Sequence, residues 1–131
     1  MMRLPVTALA AASLALLLVL LTLHAVRLRG RYRMPFGDGG HLPLKMAIRA
    51  HANLIEYMPI GLTLLALLEG SGAPRALLAP LALVFVLARL IHAFGLQREG
   101  ERIGPLRSTG ILATVAVLTV LALWLVARVV V

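Results

Sequence analysis

Four long apolar segments dominate the sequence and restrict the fold to a bundle of membrane-spanning helices. The first of them, residues 4–26, consists almost entirely of Leu, Ala and Val. As an α-helix, at about 1.5 Å per residue, it is roughly 35 Å long, which is enough to cross a bilayer. Across the chain 61% of the residues are hydrophobic and 14% are charged, whereas a soluble domain has about 25% charged residues. We therefore predict an all-α integral membrane protein.

Glycine, proline and charged residues separate the apolar segments and set the predicted helix ends. We predict a single domain over residues 1–131, with helices at about 4–28, 44–69, 75–97 and 105–130. Asp38 is the only acid in the glycine-rich first loop, where a turn role is the simplest expectation. A cleaved signal peptide is the alternative for the first segment, but the apolar run is longer than a usual signal core and no small-residue cleavage site follows it.

Basic residues are concentrated at one end of the predicted bundle. The first and third loops and the adjoining helix ends carry most of them: Arg27, Arg29, Arg31, Arg33, Lys45, Arg49, Arg98, Arg102 and Arg107. The opposite end carries Arg3, Arg75 and Arg128. Since positively charged loops remain in the cytoplasm, we predict that both basic loops are cytoplasmic and both termini are outside. The net charge of +8 is explained by membrane topology, and no nucleic-acid partner is predicted.

Three polar residues of the second helix predict a ligand site within the membrane domain. Arg49, Asn53 and Glu56 are spaced i, i+4, i+7 and share one stripe of the helix. Charged side chains at membrane depth cost about 2.5–3.5 kcal/mol each and usually face a partner helix or a wet cavity. A structural ion pair of Glu56 with Arg49 or Arg89 is the simpler explanation. The surplus of arginine over acid at this level favours an anionic ligand instead.

Helices three and four add polar residues at the same predicted level. Arg89 and His92 are neighbours on the third helix. Arg107 and Ser108 lie in the first turn of the fourth, where unpaired backbone N–H groups and the helix dipole favour an anion. Simpler roles remain open. Arg107 also fits an anchor that sets membrane topology, and His92 also fits a structural residue held by a hydrogen bond. No metal site is predicted, because no second histidine lies at metal-binding spacing from His51.

These motifs resemble the family of membrane-associated proteins in eicosanoid and glutathione metabolism (MAPEG). The second helix carries the main motif, Arg49-x-x-x-Asn53-x-x-Glu56-Tyr57-x-Pro59. Shorter matches in the other helices are Arg27-Leu-Arg29, Ala88-Arg89-x-x-His92 and Pro105-Leu-Arg107-Ser108. The chain looks most like the short bacterial members. The resemblance therefore implies a four-helix bundle in a bacterial inner membrane, assembled as a homotrimer in contact with membrane lipid.

The resemblance also implies a glutathione site between neighbouring subunits, without a metal. One subunit would contribute the second-helix motif: Arg49, Asn53, Glu56 and Tyr57. The next subunit would contribute basic and polar residues of the other helices: Arg27, His92, Arg107 and Ser108. His51 and Arg89 are expected at the rim of the site or in its support. The implied activity is transfer of glutathione to a lipophilic small molecule, or reduction of a lipid hydroperoxide.

One position departs from the family pattern and bears on catalysis. Several relatives carry a tyrosine one turn after the position of His92, where this chain has Leu96. This chain therefore has no phenol at that position to activate the glutathione thiol. Arg107, with Ser108 beside it, is the candidate for stabilising the thiolate. Whether the protein is an enzyme is left open by this difference. The alternatives are a non-catalytic lipid-binding member of the family and a small proton-coupled transporter that uses Glu56.

Overall fold

Four helices account for nearly all of residues 4–130, the part of the chain that the computed structural model describes; Arg3 lies outside this range. They are α1 (Pro5–Tyr32), α2 (Leu42–Gly70), α3 (Arg75–Glu99) and α4 (Pro105–Val130). Each is long and apolar enough to cross a membrane, so the predicted four-helix membrane fold is confirmed. Helices α2 and α3 contact each other and both of the remaining helices, whereas α1 and α4 do not touch within the described chain. The α2–α3 pair therefore forms the centre of the bundle.

The helix ends lie within two residues of the predicted ones, except at the end of α1. Pro105 opens α4, where its fixed φ angle suits a first turn. Helix α1, however, continues through Gly30 and ends at Tyr32, four residues beyond the predicted end at 28. A glycine inside a helix costs only about 1 kcal/mol, which is too little to stop so long a helix. The chain turns at Arg33, whose φ of 54° is left-handed, and Arg29 secures the turn by donating to three carbonyls of the following loop at 3.0–3.2 Å.

An apolar core runs along the bundle between the helices. Its most deeply buried members include Leu14 of α1, Leu65 of α2, Phe85 of α3 and Leu121 of α4, each 0% exposed. Large apolar side chains also cover the outside of the bundle, and Leu9, for example, is 72% exposed. In a bilayer those outward side chains contact lipid, so the apolar surface of the helices is covered on both sides.

Two glutamates cap the N-termini of neighbouring helices, and we refer to them as the glutamate caps. Glu69, late in α2, accepts hydrogen bonds at 3.0 and 2.9 Å from two backbone N–H groups in the first turn of α1. Glu99, the last residue of α3, accepts hydrogen bonds from the backbone N–H groups of Leu106 (2.8 Å) and Arg107 (3.0 Å) in the first turn of α4. Each carboxylate satisfies helix donors that have no partner within their own helix and opposes the positive end of the helix dipole.

The two caps lie at opposite ends of the bundle. The basic end, which holds the loops at residues 33–41 and 100–104, contains the Glu99 cap. The opposite end, with the loop at residues 71–74, contains the Glu69 cap, and Arg75 lies 3.6 Å from that carboxylate. At this same end Arg128 donates to the Ser71 carbonyl at 2.7 Å.

Close backbone contact between α3 and α4 leads to a stability prediction. A Cβ atom at Gly110 would lie 2.6 Å from the backbone nitrogen of His92, whereas one at Gly30 in α1 would meet nothing within 4 Å. We expect Gly110→Ala to separate the two helices and to lower the free energy of unfolding by about 1–3 kcal/mol. The matched control Gly30→Ala should raise it by about 0.4–1 kcal/mol, because alanine restricts the unfolded chain. Thermal unfolding in one detergent measures both, and a Gly110→Ala variant as stable as wild type would contradict the close approach.

Candidate functional site

Helices α2, α3 and α4 enclose a polar cavity of about 240 Å³ towards the basic end of the bundle. Its lining combines the polar stripe of α2 with residues of the other two helices: Arg49, Ala52, Asn53, Glu56, His92, Leu96 and Arg107. The stripe turns towards α3 and α4 because its i, i+4, i+7 spacing keeps it on one face of α2. One chain therefore brings together residues from three of its four helices.

Three charged side chains at this cavity make no hydrogen bond and no close ion pair with the rest of the described chain. Arg49 and Glu56 are exposed and Arg107 is half-buried. Within residues 4–130 none of these side chains makes a hydrogen bond or an ion pair closer than 4.0 Å. A structural ion pair of Glu56 with Arg49 or Arg89 is therefore not present in this chain. The cavity offers two guanidinium groups and one carboxylate to a ligand.

Arg89 lies behind the lining of the cavity, and it is 2% exposed. Its guanidinium donates to the Asn53 side-chain oxygen at 2.8 Å and to the Thr114 hydroxyl at 2.9 Å. The same group lies over the ring of Tyr57, 5.0 Å from the ring centroid, a geometry in which the ring face attracts a cation. These contacts join α2, α3 and α4 at one level and orient the Asn53 amide. Arg89 and Tyr57 thus act as supports behind the cavity lining.

His92 connects α3 to the first turn of α4. It is 5% exposed, and its Nδ1 atom lies 3.0 Å from the backbone oxygen of Arg107. A carbonyl only accepts hydrogen bonds, so we assign a proton to Nδ1; in the neutral imidazole Nε2 is then an acceptor. The hydrogen bond ties the ring that lines the cavity to the backbone of an arginine that lines it too.

The backbone donors at the start of α4 are not open to a ligand. The sequence predicts an anion at this helix end, and the structure shows one, but it is the carboxylate of Glu99 bound to Leu106 and Arg107. The expectation that these N–H groups receive a ligand is therefore wrong. What remains for an anionic ligand is the Arg107 side chain.

Several predicted site residues lie away from the polar cavity of the chain. Arg27 is exposed and lines a separate surface recess with neighbours on α1. His51 and Ser108 are half-buried and are not among the residues that line the cavity. His51 lies about 200° around α2 from Arg49, on the far side of the helix. Asp38 forms a turn, in which its Oδ1 atom accepts from the Gly40 N–H at 2.9 Å.

Four residues that the resemblance divides between two subunits lie together in this chain. The resemblance assigns His92 and Arg107 to one subunit and Arg49 and Glu56 to the next, yet all four line the same cavity of one chain. The physical reason is the tight packing of α4 on α3, which carries Arg107 to the side of α3 that faces α2. Of the residues assigned to the second subunit, Arg27 and Ser108 do not line this cavity.

Two further features of the cavity surroundings bear on its chemistry. Leu96 is 2% exposed and forms an apolar wall. At the basic end Lys45 forms an ion pair with Glu101, and this hydrogen bond, with the positive charge of Lys45, holds the pKa of the Glu101 carboxyl below its usual range. The pair fastens the loop between α3 and α4 to the start of α2. Among the described residues no group of three or more His, Asp or Glu side chains is arranged to hold a metal ion.

Comparison with known proteins identifies relatives over nearly the whole chain. The sequence model of the MAPEG family matches residues 7–127. The chain is 37% identical over 118 residues to the inner membrane protein YecN of Escherichia coli strain K12, an alignment that covers 90% of this chain and 88% of that protein. YecN of Escherichia coli O6:H1 strain CFT073 matches to the same extent. The range matched by the family includes every residue that lines the polar cavity.

Proposed function

Since the chain belongs to the MAPEG family of membrane proteins, we propose that it binds glutathione in the polar cavity and promotes attack of the glutathione thiolate on a lipophilic substrate. The products would be a glutathione conjugate of an electrophile, or a reduced lipid hydroperoxide. In this proposal the protein lies in a bacterial inner membrane with its basic end in the cytoplasm. The excess of Arg and Lys at that end supports this orientation.

The charge pattern of the cavity is the observation that carries the proposal. Glutathione has two carboxylates and one ammonium group, and the cavity presents two guanidinium groups and one carboxylate that make no hydrogen bond or close ion pair within residues 4–130. Arg49 and Arg107 suit the carboxylate or thiolate groups, since guanidinium binds such anions through paired hydrogen bonds. Glu56 suits the ammonium group. The Asn53 amide, held by Arg89, adds a fixed polar group between them.

The dimensions of the cavity support completion by a second copy of the chain. Ligand pockets usually have volumes of about 300–1,000 Å³, and the cavity of one chain, at about 240 Å³, lies just below that range. Arg49 and Glu56 are exposed on its open side. We propose a homotrimer in which a neighbouring chain closes this side and brings Arg27 to the ligand.

The proposed chemistry is stabilisation of the glutathione thiolate by Arg107. A free thiol has a pKa of about 8.5, and each unit of depression corresponds to about 1.36 kcal/mol of preference for the thiolate. A guanidinium beside an apolar wall interacts with a thiolate more strongly than it does in water, and Leu96 supplies such a wall. The lipophilic substrate would enter from the bilayer, so that the two reactants meet at the membrane boundary.

Glutathione binding to the purified protein in detergent tests the proposal directly. We expect titration calorimetry to show binding by the wild type and an affinity roughly 10- to 100-fold lower for Arg49→Ala, because a hydrogen bond to a charged group contributes about 1.5–3 kcal/mol. The matched control Arg33→Ala removes an equal charge from the exposed first loop and should leave the affinity unchanged. If the wild type, with Arg49 and Glu56 intact, fails to bind glutathione, the proposed function is wrong.

Leu96 favours a second candidate function, namely binding of glutathione or lipid without catalysis. The cavity wall has a leucine where a phenol would otherwise reach the thiol, so thiol activation depends on Arg107. A bound glutathione whose thiol pKa equals that of free glutathione, together with no turnover of aryl halides or lipid hydroperoxides, would support the non-catalytic function.

A further inference from the structure

The backbone of Arg107 is held on both sides by groups of α3. Its N–H donates to Glu99 Oε2 at 3.0 Å, and its carbonyl accepts from His92 Nδ1 at 3.0 Å. The adjacent Leu106 N–H donates to Glu99 Oε1 at 2.8 Å. Both oxygens of one carboxylate are therefore used on two successive N–H groups, which fixes the position and the rotation of the first turn of α4.

Close packing prevents this turn from moving while those bonds are kept. A Cβ atom at Gly95 of α3 would lie 2.6 Å from the backbone nitrogen of Arg107, so the two backbones are in direct contact. The space beside Gly104, where a Cβ would be, is filled by the Glu99 carboxylate. The first turn of a helix is otherwise prone to fraying, because its N–H groups have no partner within the helix.

We propose that Glu99 is the positioning residue for Arg107, and this inference rests on the proposed function of the polar cavity. Glu99 does not line the cavity and acts through the arginine that does. By holding the Arg107 backbone against α3, it sets the point from which the guanidinium extends towards the glutathione sulfur. Misplacement of a catalytic group by about 1 Å can cost about 100-fold in rate, so a fixed first turn has a direct effect on turnover.

The chain contains its own control for an ordinary helix cap. Glu69 caps α1 with the same pairing of one carboxylate and two successive N–H groups, but it lies at the opposite end of the bundle and touches no cavity residue. Glu69 also accepts from the Thr7 hydroxyl at 2.8 Å and lies 3.6 Å from Arg75, so its loss should destabilise the fold at least as much as the loss of Glu99. If Glu99 only stabilises a helix, neither Glu99→Gln nor Glu69→Gln should alter the chemistry of the cavity. If Glu99 positions Arg107, only Glu99→Gln should alter the chemistry of the cavity.

The experiment compares wild type, Glu99→Gln and Glu69→Gln at a temperature where all three are folded. Glutamine keeps the size of the side chain, but its amide nitrogen would face a backbone N–H and cannot accept from it. We expect kcat to fall roughly tenfold or more in Glu99→Gln, with the KM for glutathione changed less than about twofold. We also expect the thiol pKa of bound glutathione, followed by thiolate absorbance against pH, to rise in Glu99→Gln only. Equal kcat and equal thiol pKa in all three proteins, or the same loss in Glu69→Gln, would overturn the inference.

A measurement without glutathione separates this inference from the proposed function. Amide hydrogen exchange at residues 106–108 should be faster in Glu99→Gln than in wild type and unchanged in Glu69→Gln. If exchange there is unaffected by Glu99→Gln, the positioning role is wrong whatever the ligand. If exchange responds as expected but the wild type binds no glutathione, the proposed function fails while the hold of Glu99 on Arg107 stands.

Discussion

The variant Arg89→Ala is expected to unfold far more easily than the wild type, with a loss of about 2–5 kcal/mol in the free energy of unfolding. Arg89 is 2% exposed and is the one side chain of the described chain that hydrogen-bonds to both α2 and α4. Truncation removes these bonds to Asn53 and Thr114, exposes the face of the Tyr57 ring, and leaves a hole in the centre of the bundle. Glutathione affinity should fall with it, because Asn53 loses the group that orients its amide.

Unfolding by a denaturing detergent in mixed micelles measures this loss, and Arg128→Ala provides the control. Arg128 also joins two elements, through a bond to the Ser71 carbonyl, but it is exposed, so its removal should cost no more than about 1 kcal/mol. Arg89→Lys should lie between the two, since lysine keeps the charge and loses the planar fork that reaches two partners. Equal stability of Arg89→Ala and Arg128→Ala would show that the central network contributes little.

The variant Arg107→Ala is expected to lower kcat by about 100-fold while changing the affinity for glutathione much less. Removal of one group that stabilises a developing anion typically costs about 100- to 1,000-fold in kcat, and the thiolate is the anion in the proposed reaction. Glu56→Gln should show the opposite pattern, with weaker binding and nearly normal turnover at saturation, because the ammonium group that Glu56 is proposed to bind takes no part in the proposed reaction. Steady-state kinetics with an aryl halide and glutathione distinguish the two.

The pH profile provides the check on these assignments. The pH at which turnover reaches half its maximum should rise in Arg107→Ala, because the bound thiol loses its positive neighbour, and should remain unchanged in Glu56→Gln. If Arg107→Ala weakens binding and Glu56→Gln lowers turnover, the roles of the two residues have been exchanged.

The fold followed from sequence because hydropathy and helix length act over consecutive residues. Each apolar run had to be a helix in the bilayer, and prolines such as Pro105 marked a first turn. Sequence places the end of α1 too early because glycine is a common helix terminator, whereas one glycine costs only about 1 kcal/mol and α1 continues through Gly30 to Tyr32. The sequence does not predict the glutamate caps, because Glu69 contacts residues more than 60 positions away and the contact of Glu99 with the first turn of α4 depends on how the loop folds back.

The site was partly foreseen for a similar reason. Helical spacing was enough to group Arg49, Asn53 and Glu56 on one face, and the same spacing placed His51 on the far side, a signal that could have removed it from the site. The roles of Arg89 and Tyr57 depend on how helices rotate against each other, which no periodicity within one helix encodes. The contact that brings Arg107 to the same cavity as Arg49 depends on Gly95 and Gly110. The sequence shows that these residues lack a side chain, but it does not show which backbone packs against them.

The glutamate caps have a consequence for how the protein is made. Glu69 joins α2 to α1 and Glu99 joins α3 to α4, so each cap is internal to a hairpin of successive helices. If the helices insert in chain order, α1 can acquire its cap once α2 is in place, and Glu99 precedes α4 along the chain. Neither hairpin needs a residue of the other for its cap, and the two hairpins meet where α2 and α3 contact each other and both outer helices.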